Sequence, residues 1–328
     1  MYSKLSVLII LGIVLNSCLK NDNINSNAAA AADLIESLER YSISILRPNV
    51  DYTKVSAKYK SDASENIDEE QFFELTQDFL LTFYDPHVSL SSSFDTLRSI
   101  DYLNYTKNIN ISTVKNGYLQ NIKQHQSNIL SATINDTIGY LYLSDFMGDR
   151  AEVESILHRI IDDFSSKSGL IIDLRDNNGG SAYNAQSLLN KLTNDDLPWH
   201  TTQNKTKNGF DNVFEWNIGP AGNFQFTKKV IVLTGKYTIS AGERFTMGAK
   251  ILPHIKIIGD TTANTQGSVM GREMYNGWKY TFTFEKCLAA DGTNYEGVGI
   301  PPDIYYDSKT IDLTSSDVII ERAIVELQ

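Results

Sequence analysis

From Ile138 to Ile258 short apolar runs alternate with amphipathic stretches, and few architectures bury both patterns at once. Ile138–Leu143, Gly169–Leu174, Lys229–Leu233 and Ile255–Ile258 read as strands. Between them, Ala151–Phe164 gathers Val153, Ile156, Leu157, Ile160, Ile161 and Phe164 on one helical face, and Ala182–Leu192 and Ala241 to Leu252 read as further helices. Strands separated by helices predict an α/β core, with helices packed on a mixed sheet. Upstream, 28–84 is patterned as helix, with Leu34, Leu38 and Tyr41 in one segment and Phe72, Leu75, Phe79 and Phe83 in another. Asp51–Asp68 reads as a polar connection, and Asn116-Gly117 predicts a hairpin turn between strands. Residues 193–228 carry few long apolar runs and two turn signals, Asn208-Gly209 and Gly219-Pro-Ala-Gly222, as an insertion over the core would. Ser315–Leu327 reads as a last helix, and there is no internal repeat.

Composition narrows the function classes. Of 328 residues 41% are hydrophobic, enough to bury a substantial core. The net charge of −11 argues against a nucleic-acid binder, which needs a basic surface to displace phosphate counterions. Two cysteines, Cys18 and Cys287, exclude a disulfide framework and a thiolate metal cluster.

Residues 7–15 form an uninterrupted apolar run behind Lys4. The run is too short to span a bilayer, which takes roughly 20 residues, but it suits the apolar region of a signal peptide. Leu15-Asn16-Ser17-Cys18 resembles a bacterial lipobox, with Asn16 a less usual occupant of its position. An ordinary secretory signal that ends near a cysteine is the competing reading. The lipoprotein reading outweighs it because Cys18 has no other evident role. The expected division is a signal peptide at 1–17, a polar tether at 18–33, a helical N-terminal subdomain at 34–100 and an α/β core at 101–328. The expected location is outside the cytoplasm, held to a bacterial membrane through a lipid on Cys18. Cys287 is then left as a buried small hydrophobe.

Three strand-to-helix junctions can carry chemistry. In Asp173-Leu-Arg-Asp-Asn-Asn-Gly-Gly-Ser181 paired glycines permit a sharp turn with exposed N–H groups at a helix N-terminus. In Thr234-Gly-Lys-Tyr-Thr-Ile-Ser-Ala-Gly-Glu243 the serine precedes a helix, with the Ala241 N–H beside it as a possible oxyanion donor. Gly259-Asp-Thr-Thr-Ala-Asn-Thr-Gln-Gly267 is a polar turn after a strand. Each also has a structural reading: Ser240-x-x-Glu243 fits a capping box, and Asp-Asn-Asn-Gly-Gly is an ordinary loop. A serine nucleophile needs a base. Of the five histidines His87 is the best placed, in Tyr84-Asp-Pro-His-Val-Ser-Leu90, where a helix breaks at Pro86 and a strand begins. His158 lies on a helix face, and His125, His200 and His254 have no informative neighbours.

Four of these stretches together resemble the tail-specific or C-terminal processing serine peptidases, a family that includes the tricorn protease core and the retinoid-binding modules of interphotoreceptor retinoid-binding protein. They are Gly139-Tyr-Leu-Tyr-Leu-Ser-Asp-Phe146, Asp173-Leu-Arg-Asp-Asn-Asn-Gly-Gly180, Thr238-Ile-Ser-Ala-Gly-Glu243 and Gly297-Val-Gly-Ile-Pro-Pro-Asp303, which occur in the family's order. The resemblance covers about half of the chain. It implies a ClpP/crotonase-like core and peptide-bond hydrolysis through a serine acyl-enzyme, without metal or organic cofactor. One branch of the family pairs its serine with a lysine after the following strand. Here that region reads Ala263-Asn-Thr-Gln-Gly267, and no lysine lies between Lys256 and Lys279. The tricorn-like branch uses serine, histidine and glutamate, which the resemblance carries to Ser240 as nucleophile, His87 as base and Glu296 as the group expected to hold the imidazole tautomer and stabilise imidazolium. It likewise implies an oxyanion hole from the N–H groups of Gly179 or Gly180 and of Ala241. Pro86 departs from the pattern, which has a serine directly before the histidine. A further departure is that residues 91–137 are too few for the peptide-binding PDZ module that many relatives carry. The expected partner is a protein or peptide substrate, gripped by the core or by 193–228. Two alternatives stand beside the peptidase: a catalytically inactive member of the fold that binds a peptide or apolar ligand, and a surface adhesin or carbohydrate-capture lipoprotein.

Overall fold

The computed structural model describes residues 26–328. The apolar run, the lipobox and Cys18 lie outside the described residues. Among the described residues no helix is long and apolar enough to cross a membrane.

The centre is a seven-stranded mixed sheet in the order Ile304–Tyr305, Ile255–Gly259, Val230–Thr234, Gly169–Asp173, Ile138–Leu143, Ile129–Ile134, Gln120–Gln126. The first five strands run parallel and the last two pairings are antiparallel. The strand pleat sorts the side chains into two layers. Leu170, Ile172, Val230 and Val232 pack under the helices Arg150–Asp163, Ala182–Asn190 and Ala241–Lys250. Ile171, Ile231 and Leu233, one residue out of phase, pack with Ile319, Ile320 and Ala323 of the helix Val318–Leu327 on the other face. The central parallel strands Gly169–Asp173 and Val230–Thr234 are buried along their whole length because both faces are covered, as parallel sheets require, whereas the edge strand Gln120–Gln126 is polar and exposed.

The N-terminal part is built on aromatic packing. Helices Ser26–Tyr41, Tyr52–Asp62 and Glu69–Leu81 enclose Tyr59, Phe72, Phe79 and Phe83, with the Tyr59 and Phe79 rings stacked at 4.3 Å. This cluster extends onto Trp278, Tyr280 and Phe282. The strand Ser89–Ser91 pairs with Thr96–Arg98 on one side and with Lys279–Thr283 on the other, so the segment preceding the core shares a sheet with residues from beyond it.

Three expectations change. Asp51–Asp68 is not a polar connection, because Tyr52–Asp62 is helical. Asp51 caps this helix by accepting from the Lys54 N–H at 3.2 Å, and Tyr59 is its buried anchor. Asn116-Gly117 does not turn a hairpin; it ends a short helix, Ile111–Gly117, that Asn110 caps. The hairpin is real but lies one segment later, between Gln120–Gln126 and Ile129–Ile134. The first helix also begins inside 18–33, with Ala30 and Ala31 fully buried, so 26–33 is packed helix rather than tether. Residues 193–228 form the strands Leu197–Thr206, Gly209–Phe210 and Phe214–Ile218, which join Glu285–Ala289 in a further sheet. Trp199, Ile218 and Phe226 from this stretch are buried in the main core. Cys287 is a free, fully buried thiol whose pKa burial pushes up to about 12, an inert small hydrophobe as expected.

Candidate active site

The three polar junctions follow three neighbouring parallel strands, Gly169–Asp173, Val230–Thr234 and Ile255–Gly259, and so meet at the carboxyl edge of the sheet. Ligands bind along this edge in open α/β sheets. The first loop is anchored by Arg175, fully buried, whose guanidinium bonds Asp173, Asp317 at 2.8 Å and the Asn108 carbonyl at 2.9 Å. Asn177 then joins the first loop to the second. Its carbonyl accepts from the Ile239 N–H at 2.9 Å, its Oδ1 from the Gly179 N–H at 3.1 Å, and its Nδ2 donates to Leu143.

Ser240 sits at φ 54° and ψ −115°, a left-handed conformation that a serine adopts only under constraint. The helix Ala241–Lys250 follows directly, and the Ser240 side chain makes no capping bond to it. The capping-box reading therefore fails. Glu243, its would-be partner, instead accepts from Thr262, from the Asn264 and Thr265 N–H groups and from Gln266, which pins the third loop. The Ser240 hydroxyl is half-buried and makes no hydrogen bond among the described residues. Gly179 lies against it, so that a Cβ on Gly179 would stand 2.7 Å from Ser240 Cβ and 3.3 Å from its Oγ. Gly179→Ala is thus expected to displace the serine and lower kcat on the order of 10²-fold, the effect of roughly 1 Å of misplacement at a reacting atom. Steady-state turnover with unchanged far-UV circular dichroism checks this. Of the two glycines, Gly179 has its N–H engaged by Asn177, whereas the N–H groups of Gly180 and Ala241 meet no acceptor among the described residues.

His87 reaches this place from the N-terminal part. Thr265 touches both residues: its carbonyl accepts the Ser240 N–H at 3.0 Å, and its hydroxyl lies 3.0 Å from His87 Nδ1. Thr283 Oγ1 is 3.1 Å from the same nitrogen. Burial lowers the His87 pKa, with Arg47 and Arg244 adding to the effect and Asp85 opposing it, so the ring is neutral and basic at neutral pH. Asp85 is fully buried and accepts from Ser44 at 2.5 Å, Thr283 at 2.7 Å, Thr265 at 3.2 Å and the His87 N–H at 3.0 Å. Burial alone would raise its pKa; the charges of Arg47 and His87, with the Ser44 hydroxyl and the His87 N–H, outweigh burial and hold it at about 2.

Glu296 is buried beside this assembly. Its carboxylate bonds Arg47 and accepts from the Gln266 N–H at 3.1 Å, while the His87 ring is bonded by the two threonines. Arg47 stands between Asp85 and Glu296 and also bonds the Tyr84 carbonyl and Asn264. One guanidinium serves two carboxylates, and burial pushes Glu296 up to about 7.

Ser240, His87, Glu296, Gly179, Gly180 and Ala241 therefore converge on one edge of the sheet. Lys250 lies apart, exposed and bonded to the Pro301 carbonyl. His125 bonds Ser131, His158 bonds Ser187, and His200 is buried between Trp199 and Trp216. Four neighbours escaped the sequence reading: Arg47, Asp85, Thr265 and Thr283. Asp85 had a local signal, two residues before the candidate base, and Thr265 lies within the third polar junction.

The profile described as peptidase family S41 matches residues 137–306. Tricorn protease of Thermoplasma acidophilum is 29% identical over 198 residues, which cover 57% of this chain and 16% of that protein. Tricorn protease of Thermoplasma volcanium is 28% identical over 179 residues, 52% of this chain and 15% of that one. The chain thus spans about a sixth of the length of these curated relatives. A crystal structure of a candidate peptidase from Parabacteroides merdae superposes with a TM-score of 0.79 at 24% identity, covering 91% of this chain and 96% of that one. Mature CPAF superposes with a TM-score of 0.70 at 14% identity, covering 92% and 98%. At these identities the structural likeness speaks for the fold, and the profile, which takes in the three junctions and the closing Gly-Val motif, speaks for descent: the chain belongs to peptidase family S41.

Proposed function

We propose that this protein is a serine peptidase that hydrolyses peptide bonds in protein or peptide substrates through an acyl-enzyme on Ser240. The observation that carries the reading is the strained Ser240, its hydroxyl unbonded, set against Gly179 and tied through Thr265 to His87. Ser240 Oγ attacks the substrate carbonyl carbon. His87 Nε2 takes the hydroxyl proton and returns it to the leaving amine, and water then releases the acyl group by the same route. Gly180 and Ala241 are the proposed oxyanion donors, because the Gly179 N–H is held by Asn177. Each such donor contributes about 3 kcal/mol to the transition state. Glu296 supplies a carboxylate behind the third loop, through Gln266 and Arg47.

The layered mixed sheet supports a ClpP/crotonase-like assignment for the core. The apolar run at 7–15 and the lipobox support export and a lipid anchor at Cys18, with the catalytic part held outside the cytoplasm at a bacterial membrane.

A fluorophosphonate probe tests the central claim. The wild type is expected to label at one site and to degrade unfolded casein, and Ser240→Ala to do neither. Labelling that persists in Ser240→Ala identifies a different nucleophile. A wild type that neither labels nor cleaves overturns the enzyme reading in favour of a binding module.

A further inference from the structure

We propose that Asp85, acting through the hydroxyls of Thr265 and Thr283, is the group that sets the tautomer of His87. The inference rests on the reading of Ser240 and His87 given above and deepens it. Each threonine hydroxyl carries one proton and can donate one hydrogen bond. Thr283 Oγ1 lies 2.7 Å from Asp85 Oδ2, and Thr265 Oγ1 lies 3.2 Å from Asp85 Oδ1. An ionised carboxylate only accepts, so Thr283 points its proton at Asp85, and Thr265 points its own at Asp85 or at Thr283 Oγ1, 3.2 Å away. What they then present to His87 Nδ1, at 3.1 and 3.0 Å, is lone pairs. The proton of the neutral ring is thereby fixed on Nδ1, and Nε2 is left bare to take the serine proton. If either hydroxyl turned round, it would donate to Nδ1 and favour the tautomer protonated on Nε2, which cannot act as the base.

Asp85 is built to stay ionised. Ser44, the His87 N–H and Arg47 converge on it in addition to the threonines. It also acts electrostatically: as Nε2 accepts the serine proton, the imidazolium gains a buried negative charge two bonds of hydrogen bonding away. No proton moves onto Asp85 or the threonines. The proton passes from Ser240 Oγ to Nε2 and on to the leaving amine, and Nδ1 keeps its own throughout. The arrangement also answers the departure at Pro86, where the tricorn pattern has a hydroxyl. Here two hydroxyls come from Thr265 and Thr283, on distant parts of the chain. Asp85, Thr265 and Thr283 are positioning residues, since none of them meets the reacting atoms.

The charged groups around the ring are Asp85, Arg47 and Arg244, with Glu296 and Glu243 behind them. Asp85→Asn removes the negative charge that the two threonines link to the ring and offers an amide donor that can turn a hydroxyl round. Its kcat/KM for casein-derived peptide is expected to fall by about 10³- to 10⁴-fold, the scale of a wrong-tautomer defect. Its acid limb is expected to move to lower pH by roughly one unit, because the imidazolium has lost its counter-charge. Damage to the fold alone would lower the amplitude and leave the limb in place. The Thr265→Val/Thr283→Val double variant keeps Asp85 and the side-chain volume. It is expected to lose at least 10²-fold, and the Thr265→Ser/Thr283→Ser double variant to stay within about threefold of wild type. Wild-type kcat/KM in the double valine variant, or an unmoved acid limb in Asp85→Asn, overturns the proposal while fluorophosphonate labelling of Ser240 still stands. Absence of that labelling in the wild type removes the catalytic reading itself, and the proposal with it.

Discussion

Replacing His87 with alanine is expected to lower kcat by about 10⁴- to 10⁶-fold, the scale on which loss of the base disables a serine nucleophile. The expectation follows from a process of spatial exclusion. Among the other histidines, His125 and His158 are engaged by Ser131 and Ser187, His200 is sealed between two tryptophans, and His254 precedes the strand Ile255–Gly259, at the amino edge of the sheet opposite the junctions. Position argues against the lysine alternative. Lys250 points away from Ser240 to the Pro301 carbonyl and Asp303, so Lys250→Ala is expected to leave turnover within about twofold of wild type. The paired result on one peptide substrate is the check. An active His87→Ala, or a Lys250→Ala as impaired as Ser240→Ala, would move the base elsewhere.

The second large effect concerns stability. Arg47 is buried between Asp85 and Glu296, so Arg47→Met leaves two buried carboxylates without their cation. Removing one partner from such a cluster costs about 3–5 kcal/mol, and a urea denaturation curve should show a loss of this size. A loss below about 1 kcal/mol would mean that the carboxylates find other compensation. The pH dependence has a definite sign. Glu296 holds its proton in the native protein up to about 7, but in the unfolded chain only up to its ordinary value of 4.5. Its contribution is therefore present in full below 4.5 and declines as pH rises through 7. Asp85 runs the other way: its contribution is present above its ordinary value of 3.8 and is lost as pH falls through about 2. Glu296→Gln should flatten the decline between pH 5 and 7. Arg47→Met should be most destabilised at the alkaline end, where both buried carboxylates must carry charge.

The site divides by how local its determinants are. The Gly179-Gly180 turn and Ser240 were legible because strand, loop and helix follow one another within a few residues, and each motif carries its own backbone requirement. His87 was legible as a helix-breaking histidine but could not be assigned to Ser240 from spacing, since nothing local sets the distance between them. The misreadings were also local. Tyr52–Asp62 hides its apolar face among polar residues, and its stability comes from Tyr59 stacking on Phe79 of the next helix. Asn116-Gly117 suits a hairpin turn as well as a helix end, and Asn110 decides for the helix by capping it.

By itself, then, the sequence determined the alternation of strand and helix, the apolar faces that force an α/β sheet, and which residues are proposed as nucleophile and base. Only the tertiary structure decided which groups serve them. Ser44, Arg47, Asp85, Thr265, Thr283 and Glu296 come from segments scattered along the chain, and their hydrogen bonds exist only once the N-terminal helices close against the sheet edge. The physical reason is that period and turn chemistry are properties of neighbouring residues. The ionisation of a buried carboxylate and the tautomer of a histidine are instead properties of a surrounding that no local pattern encodes.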